Sequence, residues 1–282
     1  MAKYGTALLL EDFSLEITAK DASAVRDAAS LIPHGTRINI TYLGHESVEQ
    51  RLAAAAAISA AGFVPVPHIA ARRLASSRQI EGFLGALDTQ GVGRHLFVIG
   101  GDPEQPEGPF ADAFTLLRAD AFQHRGGSDV SIAGYPEGHP QISEDMLWHS
   151  LVEKVALLDE REATGSIITQ FGFDVDPVIE WINKVRARGI RSEIRVGVPG
   201  PAGIRRLLAF AARFGVAASA GIAKKYGLSL TNLMGSAGPD TFINALAGRL
   251  ITEEHGSVKL HFYTFGGLVA TAAWIRDFEA RR

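Results

Sequence analysis

The chain has 282 residues, 46% hydrophobic and 21% charged, with no cysteine. Its 28 Lys and Arg against 31 Asp and Glu leave a net charge of −3. That excludes disulfides, Cys-based zinc sites and a basic field for sequence-independent nucleic-acid binding. No apolar run reaches the ~18 residues of a membrane span. The opening stretch MAKYGTALLLEDFSLE lacks the apolar region of a secretory signal, so a cytoplasmic protein is expected.

Short β-branched stretches alternate with longer Ala/Leu/Arg/Glu stretches of helical spacing. In chain order the predicted strands are SLEITA (14–19), RINITYL (37–43), VPVPHIA (64–70) and HLFVIGG (95–101). VSIAGYP (130–136), SIITQFGF (166–173), SEIRVGV (192–198) and VKLHFYTF (258–265) follow. Helices are predicted over 21–31, 47–61, 76–87, 111–122, 144–160, 177–188, 202–214 and 268–280. Asp174-Val-Asp-Pro177 offers acidic capping with Pro in the first turn, and Gly62, Gly189 and Gly215 stand where helices should stop.

Many of these strands are continuous apolar runs, the pattern of a parallel sheet covered on both faces. Eight βα units in a chain of this length predict an α/β fold, one (β/α)8 TIM barrel over 1–282. Two extra helices, 217–226 and 239–255, are expected between strands seven and eight, either over the barrel mouth or against a second subunit in a homo-oligomer. A doubly wound sheet is the alternative, but it lacks its phosphate fingerprint: Gly91-Val-Gly93 precedes a strand instead of following one.

Barrel enzymes place their chemistry at the C-terminal ends of the strands. There the sequence puts Glu16, Thr41, His68, Asp102 after two glycines, Tyr135 to His139, Gln170 and Asp174, and finally His261, Tyr263 and Thr264. A carboxylate within SLEIT is expensive unless it is paired or used, so Glu16 reads as functional. Partial burial is expected to let it hold a proton near neutral pH. Asp102 could instead cap a turn, His68 be a hydrogen-bonded core histidine, His139 order its loop, and Gln170 satisfy a neighbouring backbone. The histidines lack metal-ligand spacing, so no metal site is expected. VGVPGPAGIRR could cradle a phosphate or form a plain turn with a basic face.

SLEIT, INITY, PHIA, GGDP, AGYPEGHP, ITQFGFD and HFYT occur in an order that resembles the methylenetetrahydrofolate reductases, from about residue 12 to about 278. The resemblance implies interconversion of 5,10-methylenetetrahydrofolate and 5-methyltetrahydrofolate, with NADH or NADPH as electron source and FAD as the usual relay. It makes Glu16 the acid that opens the five-membered ring, and Asp102 the carboxylate between pterin and flavin. Gln170, Phe171 and Tyr263 then hold the folate. Thr41, His68, Gly101, Ala133, Tyr135, His139 and Lys154 match positions lining the flavin.

The departures fall at one end. Gly100 stands where the family usually has Arg before Gly-Asp, and Ser150 and Glu153 replace an Asn and an Arg near the flavin phosphates. Phe110 replaces a Tyr, and Gly266-Gly267 stands where an Arg commonly follows HFYT. Losing charge-assisted contacts to a pyrophosphate weakens FAD binding by orders of magnitude. The expectation is a reductase with weak or absent FAD, in which hydride passes directly from nicotinamide to folate. Four other readings stand beside it: a reductase that keeps FAD through compensating residues, the same site oxidising methyltetrahydrofolate, a non-catalytic folate-binding protein, and a barrel enzyme acting on a phosphorylated metabolite.

Overall fold

The computed structural model describes residues 4–123, 125, 127–213 and 236–281. A short α1 (Thr6–Leu10), absent from the sequence expectation, leads into β1 (Ser14–Thr18). Then come α2 (Ala24–Ala28), β2 (Arg37–Thr41), α3 (Val48–Ala60), β3 (Val64–Ala70), α4 (Ser77–Thr89) and β4 (His95–Ile99). The middle of the chain forms α5 (Ala113–Leu117), α6 (Asp120–Gln123), β5 (Asp129–Gly134), α7 (Glu144–Glu160), β6 (Ser166–Phe171), α8 (Val175–Ala187) and β7 (Glu193–Pro199). A two-stranded ribbon of β8 (Ala202–Gly203) and β9 (Ser236–Ala237) flanks α9 (Ile204–Arg213) in sequence. The chain ends with α10 (Asp240–Arg249), α11 (Thr252–His255), β10 (Val258–Tyr263) and α12 (Leu268–Ala280).

Eight parallel strands close into a barrel in the order β1-β10-β7-β6-β5-β4-β3-β2. All eight predicted strands are its staves. Side-chain alternation splits the apolar residues into two shells. Leu15, Ile17, Ile38, Ile40, Val98 and Ile132 face the helices and merge into the main core. Val66, Phe97 and Ile168 form a separate cluster within the barrel, with Ile99 and Ala133 packed on it. Below this waist, at the N-terminal ends of the strands, fully buried Arg195 bonds Asp12 at 2.7 Å and Glu193 at 2.8 Å. Arg37 joins the network through Asp12 and Asp129.

Helix starts follow local chemistry. Ser47 caps α3 in a reciprocal box with Gln50, and Ser76, Asp112, Ser143 and Asp174 cap α4, α5, α7 and α8. Gly62 and Gly189 follow helix ends with φ of 84° and 79°, the left-handed conformation that glycine adopts without strain. Three predicted helices differ. The side chain of Asp21 takes hydrogen bonds from both Thr18 groups, so 21–31 opens as a tight 3-10 turn and only Ala24–Ala28 is α-helical. The stretch 111–122 divides into α5 and α6, and 239–255 into α10 and α11. The predicted helix 217–226 and the stop at Gly215 lie outside the described residues. No helix among the described residues is long and apolar enough to cross a membrane.

Candidate active site

The C-terminal mouth of the barrel gathers polar side chains from four neighbouring staves, β10, β1, β2 and β3. Glu16 on β1 is paired in register with Asn39 on β2 and Tyr263 on β10. Its two oxygens have different partners. Thr41 Oγ1 donates to Oε1 at 2.8 Å, while His261 Nε2 lies 3.3 Å and His68 Nε2 3.4 Å from Oε2. Thr264 donates from Oγ1 to the Glu16 backbone carbonyl at 2.5 Å. Beneath the carboxylate, Ser14 Oγ sits 2.8 Å from His261 Nδ1, and Asn39 Nδ2 sits 3.4 Å from His68 Nε2. Phe97 packs edge-on against the His68 ring, with centroids 4.6 Å apart.

This arrangement sets the charge of the site. Burial pushes the Glu16 carboxyl up, but the field of His68 and the hydrogen bonds from His261 and Thr41 outweigh it, leaving the group below 4.5. Burial brings the His68 imidazole down to about 4, so it is neutral at pH 7. The hydrogen bonds from Thr41 and His261 therefore hold Glu16 ionised at neutral pH. The expectation that partial burial alone leaves it protonated there is corrected on this point. Tyr263 is raised well above 10 by burial and by the nearby Glu16, so it stays a phenol.

Tyr263 and Phe171 belong to an aromatic wall at the ends of β6 and β10. Their ring centroids are 5.5 Å apart, and Phe265 stacks on Tyr263 at 5.7 Å. The wall rests on an irregularity: the β6–β7 register shifts between Ile168 and Phe171. Thr169 Oγ1 accepts the Gly197 N–H at 2.8 Å, and the Thr169 carbonyl accepts the Tyr263 hydroxyl at 2.9 Å. The bulge thus fixes the tilt of both rings. The Gln170 amide, oriented by its partners, donates to the Gly138 carbonyl at 3.2 Å and accepts from Glu137 N–H at 3.2 Å. It satisfies the backbone of the β5 loop, one of the two readings open from the sequence.

The other predicted residues lie apart from Glu16. Asp102, beside Gly101 on the rim after β4, has a 73% exposed side chain, and Arg73 Nε and Nη2 hold its Oδ1 at 2.8 and 2.7 Å. Tyr135 and His139 sit edge-to-face at 5.5 Å, and His139 Nδ1 accepts Gln141 N–H at 3.2 Å. Together with Ala133 they line a cavity of about 650 Å³ between the ends of β5 and β6 and the helices α7 and α8. Lys154 on α7 is buried, and burial lowers its ammonium to about 8 against the pull of Asp112. Glu153 turns to His149 at 3.2 Å on the exposed face of the same helix. A Cβ added at Gly100 would meet nothing within 4 Å, so the position where the resemblance leads one to expect Arg has room for a side chain. The loop after β7 is no free anion cradle: Gly200 N–H donates to the Tyr263 carbonyl at 2.9 Å, and Arg206 Nη1 donates to the Phe265 carbonyl at 3.0 Å.

Ser14, Asn39 and Arg51 complete the site but escape a reading of single motifs, and His261, placed at a strand end by the sequence, is assigned no role there. Ser14–Glu16 and His261–Tyr263 are i, i+2 pairs, which puts each pair on one face of its strand. That spacing was the available signal. Arg51, buried on α3, stacks its guanidinium on Tyr42 at 4.1 Å and Phe83 at 4.4 Å and donates to the His68 carbonyl.

A family model described as methylenetetrahydrofolate reductase matches residues 22–267. Methylenetetrahydrofolate reductase 1 of Schizosaccharomyces pombe is 32% identical over 111 residues, 37% of this chain and 18% of that protein. The 5,10-methylenetetrahydrofolate reductase of Pectobacterium carotovorum subsp. carotovorum is 29% identical over 119 residues, 42% and 38% of the two chains. These alignments span well under half of the relatives' length. Among solved structures, a Clostridium thermocellum protein described as binding two copies of 5-methyl-5,6,7,8-tetrahydrofolic acid superposes with a TM-score of 0.60 at 11% identity, over 96% of this chain and 95% of that one. Dihydropteroate synthase from Thermus thermophilus gives a TM-score of 0.50 at 12% identity over 100% of both chains. Both likenesses are likenesses of fold. With 22–267 matched, the chain belongs to the methylenetetrahydrofolate reductase family.

Proposed function

We propose that the chain interconverts 5,10-methylenetetrahydrofolate and 5-methyltetrahydrofolate, with NADH or NADPH as hydride donor and Glu16 as the acid. The observation that carries the reading is Glu16 itself, a carboxylate at the barrel mouth whose oxygens are held by Thr41 and His261. The folate-binding description of the C. thermocellum fold relative supports the substrate class. In the reductive direction Glu16 gives its proton to N10, the C–N10 bond breaks, and the N5 iminium accepts hydride at its methylene carbon. NAD(P)H becomes NAD(P)+, and one proton is consumed. N10 is a poor leaving group until protonated, so a positioned acid is what this step needs. A folate ring over the mouth would exclude water from the carboxyl and favour its protonated form.

The residues present do not fit an FAD diphosphate. The two positions where the resemblance expects help for the diphosphate charge, 100 and 153, are Gly and Glu, which leaves the buried Lys154 without the charge-assisted partners such a group needs. No step is therefore routed through a flavin, and the nicotinamide ring takes the place beside the pterin. In this proposal Phe171 and Tyr263 stack the folate, Asp102 leaves Arg73 for the pterin amino group, and Gln170 closes the pterin side. Thr41, His68, Gly101, Ala133, Tyr135, His139 and Lys154 border the nucleotide.

A second reading, oxidation of 5-methyltetrahydrofolate, is favoured by one observation: Glu16 is held ionised, as the base that takes the N10 proton must be. Hydride then leaves the N5 methyl for NAD(P)+ as N10 closes on the iminium. The test is Glu16→Gln. Folate binding should persist while turnover falls by about 10²–10⁴ in both directions, and unchanged turnover would refute the role. Visible absorbance of the purified protein checks the flavin: stoichiometric bound FAD would overturn the direct transfer.

A further inference from the structure

We propose that His261 is the positioning residue that tunes Glu16, with the Ser14 hydroxyl fixing which of its ring nitrogens carries the proton. The inference rests on the reading of Glu16 as the acid and deepens it. Ser14 and His261 are directly paired across the β1–β10 seam, which places the imidazole under the carboxylate two residues further along β1. His261 is fully buried and Ser14 nearly so, so neither finds water as an alternative partner.

The proton assignment follows from the partners. An ionised carboxylate only accepts, so the nitrogen 3.3 Å from Glu16 Oε2 must be an N–H, which leaves Nδ1 to accept from Ser14 at 2.8 Å. His68 offers no such certainty. Its Nε2 stands between the same oxygen at 3.4 Å and the Asn39 amide nitrogen at 3.4 Å, and it cannot accept from one while donating to the other. Of the two imidazoles, only His261 has its tautomer fixed by a neighbour that no other group contests. It transfers no proton: its N–H stabilises the carboxylate relative to the acid, and so sets the pH at which Glu16 can be protonated.

The ionisable groups facing this pair are His68 on β3 and Tyr263 on β10, with Arg51 behind His68 and Tyr135 near Tyr263. His68 acts on Glu16 through its charge, which it has lost by neutral pH, and Tyr263 directs its hydroxyl to the Thr169 carbonyl, so the His261 bond is the one that persists at neutral pH.

The experiment is the pH profile of kcat for methylenetetrahydrofolate reduction in His261→Leu, His261→Gln, Ser14→Ala and Glu16→Gln. Reduction needs protonated Glu16, so activity falls as pH rises through its pKa. Losing one hydrogen bond to the charged form moves that limb up by about one to two pH units in His261→Leu. His261→Gln keeps an amide N–H at the reach of Nε2 and should return the limb toward its original position, with KM for folate little changed in both. Ser14→Ala frees the tautomer without removing the ring, and should move the limb in the same direction by less. This conservative variant keeps the inference testable if His261→Leu fails to fold. An unmoved limb in Ser14→Ala and His261→Leu, or equal shifts in Leu and Gln, would overturn it. Full turnover in Glu16→Gln would instead remove the acid reading beneath it.

Discussion

Replacing Lys154 by Met should make the protein more stable, by an amount that depends on pH in a defined way. Lys154 lies inside the packing of α7, and burial lowers its ammonium from 10.5 to about 8, with Asp112 alone pulling it back up. In the unfolded chain the same group titrates at its ordinary value. Between the two values the unfolded state holds a proton that the folded state has lost, so stability rises with pH across that window. Below pH 8 both states are charged, and the folded state carries the whole penalty, about 3 kcal/mol. Methionine has similar length and no charge to bury. Urea unfolding of both proteins at pH 7 and pH 9.5 measures the difference. Lys154→Met should lead by about 3 kcal/mol at pH 7 and by about 1 kcal/mol at pH 9.5. A gap that does not narrow with pH, or a variant less stable at pH 7, would show that the ammonium is satisfied in the fold and refute the reasoning.

Three further outcomes are expected. Arg195→Ala removes the buried cation shared by Asp12 and Glu193 at the barrel floor, while Arg37 still holds Asp12, and should cost about 1.5–3 kcal/mol in urea unfolding. Burial pushes Asp129 up, but His95, Arg37 and Arg195 outweigh it and hold the carboxyl below 3.8. It therefore adds stability that is present above that value and lost as pH falls, and Asp129→Asn should flatten the acid limb of a thermal-melt profile. Gly197→Ala places a methyl 2.5 Å from the Thr169 carbonyl oxygen, which must displace the β6 bulge. We expect a loss of about 1–3 kcal/mol and a lower kcat, because the tilt of Tyr263 depends on that bulge.

The barrel was legible because its staves are short apolar runs bounded by glycine and polar residues, a pattern that survives without knowledge of contacts. Glu16 stood out for the same reason: a carboxylate in such a run has no cheap structural excuse. Thr41, His68 and His261 were placed at strand ends as well, but not their pairing with Glu16, because Glu16 and His261 are 245 residues apart and meet only when the sheet closes. Ser14 and His261 each look ordinary alone. Asp102 shows a second limit. Its glycine-flanked position marks a strand end, but nothing local shows that Arg73, at the end of the preceding strand, reaches across to hold it. The three misjudged helices failed at boundaries, where side-chain caps such as Asp21 choose between a 3-10 turn and an α-helix.

The apolar waist of Val66, Phe97 and Ile168 does more than fill the barrel. It insulates one end from the other. The charges of the floor, Arg195 and Arg37 among them, are absent from the groups that shift Glu16. Substitutions at the two ends should therefore combine additively. Such a barrel can carry glycine rather than a cation at position 100 of its mouth without disturbing the ion network that closes its base.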